Sequence, residues 1–212
     1  LVPNFPSPYP ETIPFSDYRR ALAEMKESYV YLSKERKVIL CILYSYGLCN
    51  IFINPIFSVI APYFIKVQLG LSASIYGVAE GIIAAGMILG GVIISRKSQL
   101  FPMKKIGKIY GVMVIAVGVM VISSISFIGP WASIVLFTMG GFIIMVTIAI
   151  SNVVSLTFTQ MNIPLHMQGK VSALSTALAT ISIPPGQLIY GYFIEAGWPL
   201  FIILLMTTFM SI

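Results

Sequence analysis

Apolar and polar positions divide the chain into two unequal parts. In residues 1–16 (LVPNFPSPYPETIPFS) five prolines interrupt every short apolar group. Such a stretch reads as an extended linker in water. From Asp17 to Lys37 the pattern turns helical: Tyr18, Leu22, Met25, Tyr29 and Leu32 recur at spacings of 4, 3, 4 and 3. Charged residues fill the gaps, so this is one amphipathic helix. Ser16 or Asp17 suits its start, while Lys34, Arg36 and Lys37 suit the negative end of its dipole. It is expected to lie on a membrane surface or to pack on the rest of the protein. Glu24, Glu27 and Glu35, set among the bases, favour packing.

Beyond residue 37 the polar face disappears. Six apolar runs follow: Val38–Ile65, Ser72–Ser95, Ile106–Ile128, Trp131–Phe158, Lys170–Ile194 and Trp198–Ile212. A helix needs about 20 apolar residues to cross a bilayer, and five of the runs reach that length. The sixth has 15 residues and no stop signal, so it is expected to be truncated. Gly129-Pro130 makes a turn between the third and fourth runs, and Trp131 and Trp198 suit the membrane interface. The expected domains are a linker over 1–37, with its helix at 17–37, and a six-helix membrane domain over 38–212.

Composition agrees and narrows the classes. The 212 residues are 58% hydrophobic and 9% charged, against roughly 25% charged in a soluble domain. This is the composition of an integral membrane protein. Cys41 and Cys49 are the two cysteines; on one helix they stand about 12 Å apart, too far for a disulfide. His166 has no metal-ligand partner, and no nucleophile–base pair or phosphate-cradling loop is present. No metal, cofactor or enzymatic activity is expected.

The net charge of +6 is a topology signal. Six bases precede the first run (Arg19, Arg20, Lys26, Lys34, Arg36, Lys37), and five lie in the second loop (Arg96, Lys97, Lys104, Lys105, Lys108). Lys170 lies in the fourth loop, and Lys66 is alone on the other side. The positive-inside rule therefore puts the linker and the loops around 96–108 and 159–170 in the cytoplasm. The same distribution argues against a nucleic-acid partner.

Two apolar runs carry polar stripes. Tyr46, Asn50, Asn54 and Ser58 are spaced by four, and Pro55 predicts a kink beside Asn54. Thr147, Ser151, Ser155 and Thr159 form a matching stripe, with Asn152 beside it. Polar groups avoid lipid, so both stripes should face protein or a watery cavity. Hydrogen bonding between helices and cavity lining both remain open for them. Glu80 is the acid well inside a span, about 12 Å deep; it is either a proton carrier or a protonated partner in a structural hydrogen bond. Glu195 lies near the outer surface. Gly77, Gly81, Gly86 and Gly90 include two small-xxx-small pairs for close helix packing. Pro184-Pro185-Gly186 predicts a broken helix, with Gln187 and Tyr190 one turn on. The methionines are scattered and read as filler.

The order of these parts resembles the C-terminal half of a major facilitator superfamily transporter. Gly91-Val-Ile-Ile-Ser95-Arg96-Lys97 with Lys104-Lys105 is similar to the family's G-x-x-x-D-R-x-G-R-R loop, with Ser95 in the place of the acid. Pro164 to Ser172 and Pro184 to Gly191 are similar to a run in exporters of the macrolide-efflux and siderophore type. The resemblance implies six helices as two three-helix repeats, half of a twelve-helix fold, in a prokaryotic inner membrane. It also implies an N-terminal six-helix half as partner, a small-molecule substrate, and a proton or other coupling ion. Taken with the stripes, it makes Tyr46, Asn50, Asn54, Ser151, Asn152 and Gln187 candidate substrate residues and Glu80 the coupling carboxylate. The expected activity is proton-driven export of amphipathic molecules. A non-transporting scaffold subunit and a homodimeric half-transporter are the alternatives.

Overall fold

A computed structural model describes residues 15–125, 127 and 129–210. The proline-rich stretch up to residue 14 and the ends expected at Ile128 and Ile212 lie outside the described residues. Helix α1 (Phe15–Glu35) ends where Arg36 leaves helical geometry, at φ −136° and ψ 52°. Helix α2 begins at Lys37 and continues to Gln68. Then follow α3 (Ala73–Lys97), α4 (Ile106–Ser123), α5 (Pro130–Asn162), α6 (Leu165–Glu195) and α7 (Leu200–Met210). Among the described residues every regular element is helical.

Four of these helical stretches are long and apolar enough to cross a membrane: Lys37–Gln68, Ala73–Leu100, Met103–Ser123 and Pro130–Asn162. The expected fifth and sixth spans differ in instructive ways. Helix α6 has 31 residues, but His166, Gln168, Lys170 and Gln187 dilute its apolar character. Helix α7 has 11 described residues, about half of a bilayer crossing. The expected break at Pro184-Pro185 is absent, since α6 runs through both prolines as one helix. The prolines are exposed, so the carbonyls they leave unbonded sit on the helix's outer side.

The kink predicted at Pro55 takes a specific form. After Phe52 the α2 ladder loosens into two π-helical stretches, Ile56–Ile60 and Tyr63–Gln68, each entered through a proline. Proline has no N–H to give the carbonyl four residues back. The ladder recovers by reaching five back, as Ala61 N–H does to the Ile56 carbonyl.

Packing falls into two groups of helices. Helix α2 pairs with α6, while α3 and α4 flank α5 and α7 lies on α4. Along the α3–α5 seam Gly86 and Gly90 bring backbones together: a Cβ on either would stand 2.5–2.6 Å from the Phe142 or Val146 carbonyl. Of the two small-xxx-small pairs, this one is a helix seam; Gly77 and Gly81 face open space. At the end bearing Trp131 and Trp198 the groups share one core, in which the Phe64 and Phe137 rings stand 5.0 Å apart. At the opposite end they separate into two clusters, one around Leu32, Leu43 and Val171 and one around Ile94, Ile109 and Ile150.

Helix α1 packs on the protein, the second of its two expected placements. Leu32 is fully buried among Ile39, Leu43 and Val171, and Met25 packs beside it. Lys170 Nζ meets Glu27 Oε2 at 2.7 Å. Leu22 and Tyr29, from the same predicted stripe, stay exposed.

Candidate functional site

The two polar stripes meet. Tyr46, Asn50 and Asn54 of α2 and Ser151 and Asn152 of α5 line one cavity of about 210 Å³. Tyr46 and Ser155 stand beside each other at its edge, where α2 meets α5. Four-residue spacing on each helix explains the alignment, because residues one turn apart share a face. Neither stripe alone reveals which helix it faces.

The stripes are partly spent on their own backbones. Asn50 Nδ2 donates to the Tyr46 carbonyl at 3.0 Å, and Thr147 Oγ1 donates to the Ile143 carbonyl at 2.7 Å. Ser58 Oγ lies 3.2 Å from the Asn54 carbonyl and 3.3 Å from its Oδ1. Gln187 sits outside the cavity lining, since its Nε2 donates instead to Ser58 Oγ at 3.2 Å. Its link to the site runs through Ser58 to Asn54.

The rest of the wall comes from residues that sequence patterning passed over. Met87 of α3, Met113 of α4 and Met145 of α5 line the cavity together with Phe57, Tyr110 and Cys49. Each methionine is on a different helix, so no single-helix period could mark them. None of the lining residues carries a formal charge.

Glu80 lies outside the lining, half-buried. It precedes Met87 by seven residues, which places both on one face of α3 about 10 Å apart along its axis. One turn towards the helix start, Tyr76 shares this face and lies beside the Glu80 carboxyl. Lys66 Nζ stands 4.7 Å from the centre of the Tyr76 ring. Lys66, Tyr76, Glu80 and Met87 thus descend from the end of α2 to the cavity wall. Among the described residues no group of His, Cys, Asp or Glu is placed to hold a metal ion, and Cys41 and Cys49 are both free thiols.

Membrane-length helices mark an integral membrane protein, and between them lies a small uncharged cavity that mixes amides and hydroxyls with apolar side chains. Residues 2–187 match the family model of the Major Facilitator Superfamily, and the chain belongs to this family of membrane transporters. Searches of curated proteins and of solved structures each returned no significant match.

Proposed function

We propose that this chain forms a six-helix bundle, α2–α7 in two three-helix repeats, of a secondary active transporter that exports amphipathic small molecules. The reading takes α1 and the residues before it as the cytoplasmic connector to an N-terminal six-helix half. It places the protein in a prokaryotic inner membrane, with the loops around 96–108 and 159–170 in the cytoplasm, as the asymmetry of Lys and Arg favours. Alternating access would rock the two halves about the cavity.

One observation carries the proposal: Tyr46, Asn50, Asn54, Ser151 and Asn152, drawn from two helices, converge on a cavity without charge. Amides and hydroxyls orient a substrate there while Met87, Met113 and Phe57 cover its apolar part. At 210 Å³ the cavity is smaller than the roughly 300–1,000 Å³ of sites that take drug-sized ligands. The facing half would supply the remaining wall. Glu80 is the coupling carboxylate in this reading, since it lies on the cavity-side face of α3 with Tyr76 beside it. An ionised carboxylate within a span is costly, which favours taking up a proton as the surroundings change.

The test uses full-length protein in proteoliposomes with an imposed pH gradient, reading uptake of a lipophilic dye or a macrolide. Gradient-driven flux in wild type that Glu80→Gln uncouples supports the reading. Undiminished coupling in the variant removes Glu80 from the mechanism. Absence of flux in wild type favours the scaffold alternative, for which the Gln187–Ser58 bond between helices speaks.

A further inference from the structure

Ser151 sets the chemistry of what the cavity holds; this inference rests on the transporter reading above. Several buried hydroxyls elsewhere are committed to backbone carbonyls. Ser28 donates to Glu24 at 2.9 Å, Ser123 to Met120 at 2.7 Å, and Thr207 to Ile203 at 2.9 Å. A helical serine usually does this with the carbonyl one turn back. Ser151 does not. Among the described residues its Oγ is the one buried side-chain nitrogen or oxygen without a hydrogen-bond partner. The residue is 4% exposed, and it lines the cavity. A buried hydroxyl left in this state is unfavourable, and a ligand that meets it recovers the loss.

The surroundings restrict that ligand. An ion entering here would shed its hydration with no counter-charge among the lining residues. A neutral group loses far less. In the same lining, Met87, Met113 and Met145 offer flexible thioethers that mould to apolar shapes without selecting one. Specificity for shape is therefore loose, and specificity for the polar group is where the cavity discriminates.

We propose that the cavity seats an uncharged molecule with a compact apolar body and one hydroxyl or carbonyl group that hydrogen-bonds to Ser151 Oγ. Ser151 is then a specificity-determining residue, and permanent cations and anions are poor substrates.

Three cage compounds of one shape separate the terms: 1-adamantanol, 1-methyladamantane and the 1-adamantylammonium cation. Their affinities are measured on full-length protein in detergent for wild type, Ser151→Ala and Ser151→Thr. The alcohol binds wild type about three- to tenfold more tightly than the methyl compound, the gain of one hydrogen bond. The cation binds more weakly than the alcohol. Ser151→Ala erases the alcohol's advantage, leaves the methyl compound within about twofold of wild type, and keeps or raises the melting temperature, since an unmet hydroxyl is gone. Ser151→Thr, which keeps a hydroxyl, retains the preference.

An alcohol preference that survives Ser151→Ala overturns the proposal, as does equal binding of the cation. A Ser151→Ala protein that fails to fold also overturns it, by making the hydroxyl structural. If the alcohol binds as described but proteoliposomes show no flux, the site stands and the transporter reading falls. If flux is present and no cage compound binds, the reverse holds.

Discussion

Gly186 of α6 lies against the carbonyl of Ile51 on α2, so close that a Cβ built on the glycine would stand 2.5 Å from the oxygen. Both sides of this contact come from local chemistry. Pro55, four residues beyond Ile51, has no N–H to offer that carbonyl. The carbonyl that Pro55 leaves without an N–H is thus the one against which the bare backbone of Gly186 packs.

Gly186→Ala is therefore expected to push the two helices apart. The new methyl meets backbone, which cannot turn aside as a flexible side chain can. Overpacking of this kind costs about 1–3 kcal/mol, outweighing the roughly 1 kcal/mol that alanine gains over glycine inside a helix. Gly191→Ala, on the same helix with open space around it, tests the reasoning. Thermal unfolding in detergent should show the first variant destabilised and the second unchanged or stabilised. Equal melting temperatures for both would refute the contact.

Helix α1 offers two attachments to the bundle, and magnitude decides between them. The Glu27–Lys170 pair is short, yet Glu27 has a side-chain exposure of 58%. Exposed ion pairs contribute about 0–1 kcal/mol. Leu32 is fully buried, and truncating such a leucine costs about 2–5 kcal/mol. Leu32→Ala should release α1, seen as rapid proteolysis within residues 15–35. Glu27→Gln should leave the digestion pattern near wild type. The reverse order would make the ion pair the true anchor.

Period and composition made the membrane class, α1 and the four clearest spans legible in the sequence. The two stripes were legible as well, because a spacing of four is read off one helix at a time. Their meeting was not, since it depends on how α2 and α5 cross. Met87, Met113 and Met145 escaped for the same reason: three helices contribute one residue each. Gln187 reaches the site through Ser58, a partner that its position two residues after Pro185 does not reveal, because the sequence does not fix azimuth. Pro184 and Pro185 suggested a break that α6 does not make: the helix runs on through both and gives up only the hydrogen bonds that two prolines cannot donate. Ser151 could be picked out by its stripe, but its unmet hydroxyl shows only in three dimensions.

The bend in α2 makes its own prediction, because it fixes how Asn54 stands relative to Asn50. Pro55 lies between the regular helix ending at Phe52 and the π-helical stretch Ile56–Ile60. Pro55→Ala restores an N–H for the Ile51 carbonyl and lets the ladder continue with α-helical spacing. Losing a helix-interior proline is favourable by up to about 3 kcal/mol in isolation, so the variant should fold and melt no more than about 2–4 °C below wild type. Asn54 would then rotate relative to α5, and proteoliposome flux should fall severalfold. Pro62→Ala, about one turn past the last polar residue of the stripe, should leave flux nearly intact. If the two variants transport alike, the bend at Pro55 is a packing feature and does not arrange the cavity. If only Pro55→Ala loses flux while both melt normally, the missing N–H of one proline sets the geometry of the site.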